Sequence, residues 1–219
     1  MLAQAPRNAM TFTAGHAGAR VPAAAPVFAP TQPHQVQFYH ANAEIYGQGE
    51  KARALYQVEF GAVRIYRLLA DGRRQISAFH VAGEVFGFEA DGQHHFFAEA
   101  ICSSAIRIYR QPIDADIARE ILPVALKALV RAQEHLLVVG RQSAAERVAA
   151  FLLDMVERQG DLPNIELAMS RTDIGDYLGL TIETVSRVFS KFKEKGYIRL
   201  TGARAVDIVK VEALASMCS

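Results

Sequence analysis

From about Val36 to Tyr109, apolar and polar residues alternate in short runs separated by glycine turns. Ala62-Val-Arg-Ile-Tyr-Arg-Leu is one such run. Asp71-Gly72 then has the chemistry of a hairpin turn, and Gln75-Ile-Ser-Ala-Phe-His-Val follows as far as Gly83. Ile101-Cys-Ser-Ser-Ala-Ile-Arg-Ile-Tyr-Arg reads as a further alternating strand. A period of two sends successive side chains to opposite faces, so many short strands at this spacing predict a sandwich or barrel. After Pro112 the period changes. Leu122, Leu126, Leu129, Gln133, Leu136 and Gly140 recur at alternating steps of four and three, the seam of a coiled coil. A helix so one-sided predicts a second copy of the chain as its partner, with burial on its own β domain as the alternative. A second amphipathic helix presents Val148, Phe151, Leu152 and Met155 on one face and ends at Gly160-Asp-Leu-Pro163.

The next segment carries the strongest signal. Ser170 is placed to cap a short helix, with Asp173 three positions on and Ile174, Tyr177 and Leu178 as its apolar face. Gly179 supplies a sharp turn and Leu180 fills the angle. Thr181 caps a second helix whose inner stripe is Val185, Val188, Phe189 and Phe192. Two short helices joined by a glycine turn predict a helix-turn-helix. Tyr197-Ile-Arg-Leu, a turn at Gly202 and Val206-Asp-Ile-Val then predict a hairpin wing. The outward face of the second helix is Glu183, Ser186, Arg187 and Ser190. An arginine offers paired donors to guanine O6 and N7, and a glutamate accepts from cytosine N4. Glu183 and Arg187, one turn apart, are also spaced to orient one another.

Charge sharpens this picture. The formal net charge over 219 residues is only +1. Between Arg187 and Arg204, however, Arg187, Lys191, Lys193, Lys195, Arg199 and Arg204 face a single acidic residue, Glu194. Positive charge is thus concentrated where nucleic acid would lie, and Lys191 and its neighbours point to phosphate contacts that ignore sequence. Hydrophobic residues at 51% and charged residues at 21% fit a soluble globular protein, and the sparse cysteines point to a reducing compartment, so a cytoplasmic location is expected. No apolar run reaches the roughly 18 residues that span a bilayer. Two distant cysteines, Cys102 and Cys218, make neither a disulfide framework nor a metal cluster. Cys102 is expected as a small buried residue in a strand. No acidic residue precedes Glu44, and Pro22, Pro26, Pro30 and Pro33 interrupt any amphipathic helix, so the opening reads as a flexible tail rather than a transit peptide. The expected divisions are a tail over 1–35, a β-rich sensor-like domain over 36–112, a dimerisation helix over 113–141 and a winged helix-turn-helix over 142–219.

From Val36 onward the chain resembles the CRP/FNR superfamily of bacterial regulators. Glu183-x-x-Ser186-Arg187 is similar to the FNR-type reading signature. Arg64-Ile-Tyr-Arg-Leu-Leu-Ala-Asp-Gly-Arg-Arg-Gln-Ile-Ser-Ala-Phe-His, with Gly83-Glu-Val-Phe-Gly-Phe-Glu after it, looks closest to the FixK branch. The resemblance implies an α+β fold: an N-terminal cyclic-nucleotide-binding-type β-roll, a long dimerisation helix and a C-terminal winged helix-turn-helix. It implies a homodimer on a two-fold site with TTGAT and ATCAA half-sites. Glu183 and Arg187 would read the G·C pair and its neighbour and Ser186 the outer thymine, while Arg171, Thr181 and Thr184 would touch phosphate. It further implies contact with RNA polymerase and activation of genes for microaerobic or anaerobic respiration and nitrogen fixation.

The departures are equally informative. FNR holds an iron–sulfur cluster on cysteines near its N-terminus, whereas here no cysteine precedes Cys102, so no cluster is expected. Cyclic-AMP binders of the superfamily use a Gly-Glu-Leu segment and an Arg-Ser pair. This chain has Phe86-Gly-Phe-Glu and then His94-His-Phe-Phe, without the arginine that would neutralise the phosphate. No cofactor is therefore expected, although a ligand-gated regulator with an unidentified small molecule in the β-roll stays open as an alternative. A cupin-like metal enzyme is the remaining class. Adjacent His94 and His95 in a strand would face opposite ways, and His95 with Glu99 on one face makes only two ligands, so neither a metal site nor an enzyme is expected.

Overall fold

The computed structural model describes residues 35–110, 115–140 and 143–218, with 115–118 in their backbone alone. The expected tail, apart from Gln35, and the junctions at 111–114 and 141–142 lie outside the described residues. Eight strands come first: β1 (Gln35–Tyr39), β2 (Glu44–Tyr46), β3 (Ala54–Phe60), β4 (Ala62–Leu68), β5 (Arg74–Val81), β6 (Val85–Phe86), β7 (Phe97–Ala100) and β8 (Ser104–Arg110). They form two four-stranded antiparallel sheets, ordered β1-β8-β3-β6 and β2-β7-β4-β5. Val58, Val63, Ile65, Phe86, Ala98 and Ile106 close the space between the sheets, and Tyr46, Tyr56, Phe86 and His94 fill it further with packed rings. Tyr46 and His94 stack with centroids 3.6 Å apart.

The β4–β5 hairpin forms as its alternation predicts, with Gly72 at φ +81 in the turn. Both of its faces are covered, however. Val63 and Ile65 face the roll interior, while Ala62, Ile76 and Phe79 join the core of the C-terminal half. Three details differ from the sequence reading. The strand expected from Ile101 begins at Ser104, because 101–103 bend, and Cys102 is half-buried in that bend. His94 and His95 lie in the loop before β7 rather than in a strand. Both approach Glu89, His94 through Nδ1 at 3.3 Å and His95 through its backbone N–H. Glu99 is taken by Arg64 and Tyr66 instead of sharing a site with His95, which pairs with Asp91 at 3.0 Å in the open. In a loop, adjacent histidines are not held to opposite faces as they would be in a strand.

Helix α1 (Ala115–Gly140) leaves the roll with Ile121 and Val124 packed on Leu55, Val85 and Tyr109. Farther along, His135 stacks on Tyr177 at 3.8 Å. Its other side carries the predicted seam, and Leu122, Leu126, Leu129 and Leu136 are all exposed, Leu136 by 72%. Helix α2 (Ala144–Arg158) starts on a reciprocal Ser143–Glu146 capping box and buries Val148, Phe151, Leu152 and Met155 completely or nearly so. Then come β9 (Asn164–Glu166), α3 (Arg171–Leu178), α4 (Ile182–Glu194), β10 (Ile198–Leu200), β11 (Ala205–Ile208) and α5 (Val211–Cys218). The predicted wing is β10–β11. Strand β9 pairs onto β11 to make a third strand, and α5 covers α2 with buried Leu214; the sequence reading named neither. No described helix is long and apolar enough to cross a membrane.

The turn between α3 and α4 depends on two glycines. Gly179 sits at φ +64, which side chains with a Cβ rarely adopt. Gly175 lies where a Cβ would meet the Leu180 carbonyl oxygen at 2.6 Å. Gly175→Ala should therefore destabilise the protein by about 1–3 kcal/mol through overpacking, despite the roughly 0.8–1.0 kcal/mol that alanine gains in helix propensity. Urea unfolding of the two proteins checks the sign; a more stable alanine variant would mean the two helices can part without cost.

Candidate nucleic-acid interface

Helix α4 is divided lengthwise. Val185, Val188, Phe189 and Phe192 are buried, as their spacing predicts. Burying those four side chains, each worth about 1.5–3 kcal/mol, fixes the rotation of the helix about its axis. Glu183, Ser186, Arg187, Ser190 and Lys191 are consequently turned outward, all of them exposed. Ile182, three positions before Val185, has inner-stripe spacing but lies at the helix start beyond the cover of α3, and is 43% exposed.

Local hydrogen bonding sets the start of the helix. Thr181 is the N-cap, its side-chain oxygen accepting the Thr184 N–H at 3.3 Å. The Thr184 hydroxyl lies 3.1 Å from that of Thr181 and accepts a hydrogen bond from Arg187 Nη2 at 3.3 Å. Arg187 is thus oriented by Thr184 rather than by Glu183, the partner its spacing suggested. The Glu183 carboxyl is held below the usual carboxylate range by its own backbone N–H and then by the Thr181 hydroxyl, with Arg187 a smaller influence. It stands ionised at the positive end of the helix, as an acceptor there must.

Arg171 opens α3, and its guanidinium lies over the Phe189 ring, 3.2 Å from the centroid. Burial pushes its pKa down to about 10. Among the described residues no carboxylate pairs with it. A half-buried cation without a counter-anion gains if an anion arrives, and a phosphate oxygen is such an anion. Lys193, Lys195, Arg199 and Arg204 are also exposed, so the basic residues concentrated in this part of the sequence all reach solvent. Among the described residues, Arg199 reaches one acidic side chain, Asp207 at 4.0 Å.

The structure adds residues on which sequence reasoning was silent. Arg64 and Arg74 of the β-roll bind Asp173 of α3, and Arg74 also binds Asp176. Arg147 donates to the Leu178 carbonyl at 3.0 Å, in the turn itself. No local signal marks these partners, which lie 31 to 109 residues apart.

Residues 36–115 match the family of cyclic nucleotide-binding domains and residues 146–217 that of Crp-like helix-turn-helix domains. The chain is 55% identical over 187 residues to the nitrogen fixation regulation protein FixK of Rhizobium meliloti, covering 85% of this chain and 89% of the relative. It is 33% identical over 172 residues to the fumarate and nitrate reduction regulatory protein of Vibrio cholerae, covering 73% and 69%. The solved structure of FixK2 from Bradyrhizobium japonicum superposes with a TM-score of 0.80 at 42% identity, covering 86% of this chain and 98% of that one.

Arg171→Met keeps apolar area on the Phe189 ring and removes the desolvated charge. Thermal melting without nucleic acid should find the variant at least as stable as the parent. A melting point lower by several degrees would mean that the cation–ring contact itself holds the helix pair together.

Proposed function

The chain belongs to the CRP/FNR family of transcription regulators, in its FixK branch, and from that footing we propose that it works as a homodimeric activator reading a two-fold TTGAT-N4-ATCAA-like site. The observation that carries the proposal is the division of α4, with one face closed by Val185, Val188, Phe189 and Phe192 and the other presenting Glu183, Ser186 and Arg187. Arg187 donates to guanine O6 and N7, Glu183 accepts from N4 of the cytosine paired with it or meets the neighbouring pair, and Ser186 meets the outer thymine. Arg171, Thr181, Thr184 and Lys191 lie against phosphates and set the register. The Thr184 hydroxyl, already bonded to Arg187, serves this role while also orienting the reading arginine.

Two copies join along α1 through Leu122, Leu126, Leu129, Gln133, Leu136 and Gly140. The exposed leucines of that seam support the assignment, because apolar side chains recurring along one helix face gain from burial against a second copy. A two-fold arrangement presents the two α4 helices to successive major grooves about 34 Å apart. Bound upstream of a promoter, the dimer recruits RNA polymerase at genes for microaerobic or anaerobic respiration and nitrogen fixation. It does so without cyclic nucleotide or iron–sulfur cluster. The ring-filled interior of the roll supports the first of these, and the absence of any cysteine before Cys102 supports the second.

Selection from a random duplex pool with no added effector should recover two-fold sites with TTGAT-like arms; a pool that stays unenriched would reject the proposal. Arg187→Ala should cost about 1–3 kcal/mol per half-site and relax the preference at the guanine, read by competition binding with each base at that position. Lys191→Ala should weaken all duplexes alike and reduce the salt slope by about 1. A sequence-selective loss on removing Lys191 would move that residue from phosphate to base.

A further inference from the structure

Asp173 serves two structures at once. Its Oδ2 accepts the Ser170 N–H at 3.0 Å and the Ser170 hydroxyl at 2.7 Å, completing the cap of α3. Its Oδ1 accepts Arg64 Nη1 at 3.1 Å and Arg74 Nη2 at 2.6 Å, both from the β-roll. Arg74 also donates from Nη2 and Nε to Asp176 Oδ2 at 2.9 and 3.0 Å, and Gln75 Nε2 donates to the Asp176 backbone carbonyl at 2.7 Å. Arg64 is itself fixed from behind by Asn42 and Glu99. The side chains of Arg64 and Asp173 are 9% and 5% exposed. Burial works against the Arg74 charge, but Asp176 and Asp173 outweigh it and raise its pKa.

Buried ion pairs are a poor source of net stability, since desolvation cancels much of the attraction. What two forked guanidiniums on two carboxylates of one helix turn do supply is orientation, because planar donors accept few geometries. Helix α3 is joined to α4 through Gly179 and the Gly175–Leu180 contact. Whatever holds α3 therefore aims α4.

We infer that Arg64 and Arg74 are positioning residues for DNA recognition: they lock the reading head to the β-roll and so set the separation between the two reading helices of a dimer. The inference rests on the dimeric reading above. The roll thereby acts as a brace, holding in place without ligand what a mobile head would leave open. The specificity it confers lies in half-site spacing and not in base identity, since neither arginine is on the outward face of α4.

The test uses the full chain with Arg74→Met, Asp176→Ala and the pair combined. Binding is measured to a site with correct spacing, to sites with one base pair inserted or removed between the arms, and to a site with the half-site guanine replaced. Each single variant should lose about tenfold in discrimination between spacings, which corresponds to 1.4 kcal/mol. Discrimination at the guanine should stay as in the parent. The double variant should be no worse than the worse single, because the Asp176 carboxylate meets the roll through Arg74. Arg74→Lys, which keeps a charge but not the fork, should recover part of the loss. Melting curves identify any variant that is merely unfolded, and for such a variant hydrogen exchange of α3 amides in Arg74→Lys gives the same comparison. Unchanged spacing discrimination in folded variants would overturn the inference. So would tighter binding at every spacing, which would make the contact a restraint holding the head off DNA. If the parent itself ignores the guanine, the reading of α4 has failed instead.

Discussion

Four apolar side chains beneath α4 decide what that helix can show to a partner. Val185, Val188, Phe189 and Phe192 are buried against α3 and the rest of the C-terminal core, and rotating the helix would bring all of them into water. That constraint is non-directional and large. It turns Glu183, Ser186 and Arg187 to the outside. The polar contacts near the helix start then refine what burial has set. Thr181 closes the first turn, and Thr184 holds the Arg187 guanidinium. Arg171 is kept as a cation over the same Phe189 whose burial fixes the helix, so the inner stripe and the charged surface share a side chain.

The sheet containing β4 and β5 works on both faces, and this is why the two halves of the chain are mechanically joined. One face closes the roll through Val63 and Ile65. The other buries Ala62, Ile76 and Phe79 with the helices that carry the reading head. Polar links run beside this apolar contact. Arg158 of α2 donates to the Phe79 carbonyl at 2.6 Å and to Glu84. Burial works against the Glu84 charge, but hydrogen bonding with His80 and the Arg158 charge outweigh it and hold the carboxyl well below its usual range. Helix α1 is two-sided in the same sense, lying on its own roll through Ile121 and Val124 while leaving a row of leucines open.

Much of this was legible in the chain because it rests on short-range spacing. A period of two marked β4, β5 and β8, a four-and-three period marked α1, and Ser170, Gly179 and Thr181 marked the ends of α3 and α4 by what each residue type does at a helix terminus. The outward residues of α4 followed from the inward ones by subtraction. Spacing alone does not reach further than this. His94 and His95 lie in a loop, where strand alternation does not hold, Cys102 lies in a bend, and Glu183 and Arg187 are at pairing distance in sequence although Arg187 bonds to Thr184.

The amino-acid order by itself determined β4, β5, β8 and the helices α1 to α4, the apolar stripes of α2 and α4, and the concentration of positive charge between Arg187 and Arg204. Only the tertiary structure decided that Asp173 is more than a cap, that β9 and α5 complete the C-terminal fold, and that the roll grips the reading head. The physical reason is separation along the chain. A cap or an apolar stripe is written within one or two helical turns, whereas Arg64 meets Asp173 across 109 residues and Arg74 meets Asp176 across 102. No local pattern encodes such a meeting; the packing of the roll against the C-terminal helices creates it.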